Sequence, residues 1–179
     1  MIIAALAILT LANLLLAFYL ISSILSAFYG APYVPLSKKE VTRVVKLLPI
    51  SKGQLVYDLG SGDGRVVLAI AKDQAVKAVG VERSFWPYII AKLKRQRTRL
   101  TGEVEFKRAN FFDEDLSQAD LVFCYLMPRP MERLKSKFER ELKPNTLVAS
   151  YAFKIPGWTP MRVDKPNAKS ASIFIYRVT

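Results

Sequence analysis

Apolar and polar residues are distributed unevenly along the chain. From Ile2 to Phe28 there is no Asp, Glu, Lys or Arg, and only Thr10, Asn13, Ser22, Ser23 and Ser26 interrupt the apolar run. A helix of that length spans about 40 Å, more than the roughly 30 Å hydrocarbon core of a bilayer. Residues 1–29 are therefore expected to form a transmembrane anchor. A secretory signal peptide would open on a basic segment and carry an apolar run about half as long. Gly30, Pro32 and Pro35 then stop the helix, and Pro35 biases Val34 toward an extended backbone, so 30–37 reads as a short connector.

Beyond the connector, helical and strand periods alternate. Val41, Val44, Val45 and Leu48 recur at helical spacing behind Ser37 and Glu40, a capping box on an amphipathic helix. Short apolar runs at 54–59, 75–81, 104–107, 121–125 and 146–153 predict strands, and 66–72, 86–98 and 131–141 predict the helices between them. Such alternation means a parallel sheet covered by helices on both faces. The runs at 161–163 and 172–177 are separated only by a Pro/Asn/Lys loop, too short for a helix, and should pair as an antiparallel hairpin. Residues 38–179 thus form one α/β domain with seven predicted strands.

Composition narrows the chemistry. The 179 residues include 27 Lys+Arg and 15 Asp+Glu, a net charge of +12, with no His and one Cys. Without an imidazole, mechanisms built on a His base, a His-ligated zinc or a Ser-His-Asp relay are excluded. Cys124 alone can form neither an intrachain disulfide nor a CxxC pair, which points to a reducing compartment, and its apolar neighbours predict a buried thiol. No metal site is expected. No charge precedes Lys38, and positive flanks stay cytoplasmic, so a single-pass anchor would hold the domain on the cytoplasmic side. Lys92, Lys94, Arg95, Arg97 and Arg99 crowd one helix, a run suited to a solvated face, to nucleic acid or to an anionic leaflet.

The densest chemical signal is Tyr57-Asp58-Leu59-Gly60-Ser61-Gly62-Asp63-Gly64-Arg65, placed where the first strand meets the next helix, at the ligand-binding edge of an open α/β sheet. Arg65 stands where a dinucleotide fingerprint needs its third glycine, and the lysine of a phosphate-binding loop is absent. What remains is bare backbone preceded by Asp58, which can accept from a cationic amine, with Glu82 closing the second strand, where a carboxylate can take both ribose hydroxyls. A cationic nucleoside without phosphate satisfies this arrangement, and S-adenosylmethionine is one.

VYDLGSGDGR followed by VGVE resembles the first motifs of class I S-adenosylmethionine-dependent methyltransferases, whose Rossmann-like sheet has seven strands with an antiparallel terminal hairpin. An uncharged N-terminal helix, Tyr33-Val34-Pro35, Tyr125-Leu126-Met127-Pro128 and the later ELKP extend the likeness over nearly the whole chain. In these the sequence is similar to the membrane-associated protein-lysine methyltransferase family of the ATP synthase c-subunit and adenine nucleotide translocase enzymes and their prokaryotic relatives. The resemblance implies S-adenosyl-L-methionine held by Asp58, Gly60, Ser61, Gly62, Asp63, Gly64 and Glu82. It further implies an adenine contact after the third strand, where the family commonly has an acid and this chain has Asn110. The Asn110 carbonyl would accept from the adenine amine while the Phe111 amide donates to the ring.

Methyl transfer needs a nucleophile held in line with the donor and sheltered from water, with no covalent intermediate. A lysine amine, with a pKa of about 10.4, loses its proton more readily in an apolar pocket. Tyr125, Pro128 and, from the connector, Tyr33 are the candidates for that pocket wall. The expected acceptor is a lysine of a membrane-associated protein. A lipid or quinone acceptor, or a cofactor-binding module without catalysis, are the competing readings; a nucleic-acid acceptor is not expected, since the Asn-Pro-Pro-Tyr element of adenine-N6 enzymes is missing at 125–128.

Overall fold

The structure, a computed structural model, describes the backbone of residues 2–28 and 34–179 and the side chains of all of these except 19 and 21–28. Tyr33, with Gly30 and Pro32, lies outside the described residues. Helix α1 (Ile2–Phe28) is followed by α2 (Lys38–Leu47), β1 (Leu55–Leu59), α3 (Arg65–Asp73), β2 (Lys77–Val81) and α4 (Phe85–Gln96). Then come β3 (Glu103–Lys107), β4 (Leu121–Cys124), α5 (Pro128–Glu141), β5 (Leu147–Tyr151), β6 (Arg162–Asp164) and β7 (Ile173–Arg177).

The strands form one seven-stranded sheet ordered β3-β2-β1-β4-β5-β7-β6. β1 to β5 pair in parallel, while β7 runs antiparallel to β5 and carries β6 antiparallel on its outer edge. The expected terminal hairpin is present. Successive residues of a strand point to opposite faces, and here both faces are covered. Val56, Leu121, Phe123, Ala149 and Ile175 pack with Val66, Val67 and Ile70 of α3. Tyr57, Leu59, Val122, Val148 and Tyr176 pack with Met131, Leu134 and Phe138 of α5. Cys124 belongs to the second layer, fully buried, and burial pushes its thiol up to about 12, so it is an inert core side chain.

The Ser37 side chain accepts from the Glu40 amide at 3.3 Å and caps α2 as the sequence predicts. The reciprocal half of the capping box is not made. The Glu40 carboxylate instead accepts from the Arg43 guanidinium at 2.8 Å and from the Tyr151 hydroxyl at 3.0 Å. Arg43 and a tyrosine at the end of β5 offer stronger partners than the Ser37 amide, and they tie α2 to the sheet. Arg43 also reaches Asp164 of β6 at 2.7 Å.

Helix α1 carries no charge, and its large side chains point outward: Ile3 is 83% exposed and Ile8 70%. Its described side chains end at residue 20, and among the described residues no helix is long and apolar enough to cross a membrane. The transmembrane anchor expected from the sequence is not found among them. One described contact joins α1 to the domain: the ring of Phe18 meets Trp86 of α4 edge-on, centroids 6.3 Å apart.

Candidate functional site

The turn after β1 is shaped by its backbone. Gly60 and Gly64 have φ of +79° and +74°, a region that β-carbons disfavour. A Cβ on Gly64 would lie 2.4 Å from the Phe106 ring, and one on Gly60 would lie 2.9 Å from Leu126. The Gly60 and Ser61 amides both donate to the Val81 carbonyl, at 2.9 and 3.0 Å, which folds the loop back onto the end of β2. Glu82 follows directly. One of its carboxylate oxygens accepts from the Gly62 amide at 3.0 Å and the other from the Ser84 amide at 2.6 Å. The second acidic residue is therefore part of the glycine turn as well as its neighbour.

Asp63 is buried and held by two cations. Its oxygens take both ends of the Arg65 guanidinium fork, at 2.8 and 2.6 Å, and one also takes the Lys94 ammonium of α4. Burial alone would raise the Asp63 pKa, but Arg65 and Lys94 outweigh it and hold the carboxyl at about 2. Arg65 also donates to the Leu36 carbonyl, which fastens the segment before α2 to the loop. Asp58 is the opposite case. It is 4% exposed, and burial, with Glu82 and Asp63 adding negative charge nearby, pushes its carboxyl up to about 8.

These groups open onto one cavity of about 750 Å³ at the carboxyl ends of β1 to β5. The structure brings Asp58, Gly60, Ser61, Gly62, Asp63, Glu82, Asn110, Phe111 and Tyr125 to its lining. Two further sequence candidates are not among the lining residues. Gly64 is the left-handed cap of α3 packed on Phe106, and Pro128 is the first residue of α5, one position past the lining residue Met127. Asn110 is more committed than expected: its amide nitrogen donates to Asp113 at 3.0 Å and its carbonyl accepts from the Phe112 amide at 3.3 Å. One lone pair of that carbonyl is left for a ligand amine.

Tyr125 follows β4 and stands edge-on to Tyr151, ring centroids 4.8 Å apart. Phe123, Met127, Phe112 and Phe153 continue this apolar side of the cavity, and Arg133 lies 4.0 Å above the Phe112 ring. Sequence reasoning missed Phe85, Arg108, Phe112, Arg133 and Phe153. The rule that ligands bind where parallel strands end points to the residues just after β3 and β5, hence to Arg108, Phe112 and Phe153. Arg133 sits a turn inside α5 and carries no sequence signal.

A strand-end cavity with a glycine turn and two acids is shared by more than one kind of nucleotide enzyme, and comparison decides between them. The model of the ANTKMT methyltransferase domain matches residues 58–162. The chain belongs to that family. A protein-lysine N-methyltransferase of Saccharolobus islandicus is 42% identical over 146 residues, covering 81% of this chain and 91% of that protein. The human ATP synthase c-subunit lysine N-methyltransferase is 36% identical over 132 residues, covering 74% of this chain but 56% of its own length. Among solved structures, an RNA methyltransferase from Salinibacter ruber in complex with S-adenosyl-L-homocysteine superposes with a TM-score of 0.75. It is 29% identical and covers 81% of this chain and 94% of that one. The chain is a class I S-adenosyl-L-methionine-dependent methyltransferase.

The cavity fits that cofactor. Acids on both sides of the turn suit a cationic amino-acid nucleoside, Gly60 and Gly62 put no side chain into the cavity, and Ser61 Oγ is buried without a hydrogen-bond partner. Nothing in the lining other than Arg side chains on the rim would favour a phosphate.

Proposed function

We propose that this methyltransferase is a protein-lysine N-methyltransferase acting on a membrane-associated protein. The observation that carries the reading is the 42% identity to a protein-lysine N-methyltransferase along 91% of that protein's length. In this reading residues 1–29 anchor the chain by a single pass, 30–37 connect, and 38–179 form the methyltransferase domain on the cytoplasmic side. The uncharged stretch Ile2–Phe28, with a basic flank only after it, supports that arrangement.

Bound S-adenosyl-L-methionine supplies a methyl group on a cationic sulfonium. Asp58, ionised on meeting the cofactor's amine, and the Gly60–Gly62 turn would hold its amino-acid end, Glu82 would take the ribose, and Asn110 with Phe111 would meet the adenine. Tyr125, Phe153 and Met127 then wall the acceptor side. An apolar wall disfavours an ammonium, so a lysine entering there gives up its proton to solvent water and presents the neutral amine. Positioning and exclusion of water supply the rate, and no histidine is needed.

A second reading, an RNA acceptor, is favoured by the Salinibacter structure and by the net charge of +12. One experiment separates them. The purified chain is incubated with methyl-labelled S-adenosyl-L-methionine and the membrane and RNA fractions of its source. Label that is released as methylated lysine after acid hydrolysis of protein supports the proposal. Label confined to RNA or to extracted lipid overturns it.

A further inference from the structure

Helix α4 presents a surface that the methyl-transfer site does not use. Trp86, Ile90, Leu93 and Arg97 follow one another at four-, three- and four-residue steps and so form a single stripe along the helix. Ile90 is 40% exposed and Leu93 49%, two aliphatic side chains side by side on one face of the helix. Arg97 ends the stripe, Lys92 is exposed on the next face of the helix, where its ammonium lies 5.7 Å over the Tyr88 ring, and Arg99 is exposed just past the helix end. No Asp or Glu occurs between Glu82 and Glu103. An exposed apolar stripe that ends in Arg97, on a helix whose other exposed charges are all cations, is the pattern of a helix that rests in a membrane interface, with aliphatic side chains at the acyl boundary and cations reaching anionic headgroups.

The position of the helix agrees. Its first residue, Phe85, and the preceding Arg83 line the cavity, so a surface touched by α4 also faces the cavity rim. Phe18 of the uncharged α1 packs on Trp86 at the start of the stripe. Single-stranded RNA, the other polyanion such a helix attracts, is gripped by stacking on open aromatic faces. The one aromatic ring in this stripe, Trp86, is half-buried between the edges of Phe18 and Phe85.

We propose that α4 is a second membrane contact, laying Ile90 and Leu93 into an anionic lipid surface so that the cavity rim faces the bilayer. The proposal deepens the anchor reading but fails separately from it. The test uses the full chain with Leu93→Cys carrying an environment-sensitive fluorophore; Cys124, fully buried, stays unlabelled. The labelled chain is mixed with vesicles of phosphatidylcholine alone or with added phosphatidylglycerol. Emission should rise several-fold and shift to the blue only with the anionic vesicles, and Lys92→Glu/Arg97→Glu should abolish the change while leaving the thermal transition in place. Unchanged emission on anionic vesicles overturns the proposal even when the chain floats with them. An equal rise on both vesicle types, or a rise with an RNA oligonucleotide and not with vesicles, overturns it too. Failure to float with neutral vesicles contradicts the anchor alone, and the emission on anionic vesicles still decides for or against α4.

Discussion

Two aspartates five residues apart, one near the end of β1 and one in the turn after it, are tuned in opposite directions, and the difference assigns them different work. Asp58, raised to about 8, is held mostly neutral and is available to a cationic ligand, whereas Asp63, held at about 2, is already neutralised by Arg65 and Lys94. Binding of a cation beside Asp58 is therefore coupled to loss of its proton. The ratio of S-adenosyl-L-methionine affinity in the natural chain to that in Asp58→Asn should climb by roughly fiftyfold between pH 6 and 8. Titration of the ligand's own groups is common to both proteins and cancels, so a pH-independent ratio in calorimetric titrations would remove Asp58 from the amine. For Asp63 the linkage runs through stability. Its folded pKa lies below the unfolded value, so its contribution is present above about pH 4 and is lost as the pH falls through about 2. Asp63→Asn should cost about 2 kcal/mol at pH 7. The gap between the two denaturation curves should narrow between pH 5 and 3; a constant gap would show that the ion pairs do not pin the loop.

At the scale of elements, the pattern of apolar positions was sufficient for every strand and helix from α2 to β7, because a parallel sheet covered on both faces leaves short, nearly continuous apolar runs. Ranges drifted at strand ends: the run at 146–153 is a strand only to Tyr151, since Ala152 turns to a positive φ of 69°. The glycine turn with Asp58 and Glu82 is readable because closely spaced glycines between a strand and a helix have few uses other than letting a ligand approach, and the structure brings all three to one cavity. What could not be read is set by contacts distant in sequence. Gly64 belongs to packing on Phe106, and Glu40 bonds Tyr151 rather than its own helix end. Tyr151 is pushed to about 12 by burial and by that bond to Glu40, and its ring braces Tyr125. Tyr151→Phe should cost about 1 kcal/mol in stability by freeing Glu40. Tyr151→Leu, which removes the ring as well, should lower kcat more than it alters S-adenosyl-L-methionine affinity, because the brace acts on the acceptor side alone. Equal losses in both parameters would contradict that division.

For the whole molecule, Phe18 of the uncharged α1 and Phe85 of the basic α4 both line the cavity, and the two helices meet at Phe18 and Trp86. Alkaline carbonate extraction of native membranes should leave the chain in the pellet, and release into the supernatant would contradict the anchor. In the proposed reading one cavity is divided: Asp58 and Glu82 at the ends of β1 and β2 meet the donor, and Tyr125, Met127 and Phe153 after β4 and β5, with Phe112, wall the acceptor. That division is the centre of the account, and Tyr125 tests it, because it lines the cavity beyond the glycine turn and touches none of the acids there. The measurement is the single-turnover rate of methyl transfer to lysine by Tyr125→Ala at saturating S-adenosyl-L-methionine, with the dissociation constant determined on the same preparation. The account predicts a rate lower by at least about tenfold with the dissociation constant unchanged, as expected for loss of an interaction made on the way to the transition state. A rate equal to that of the natural chain, or a loss confined to cofactor binding, would contradict it.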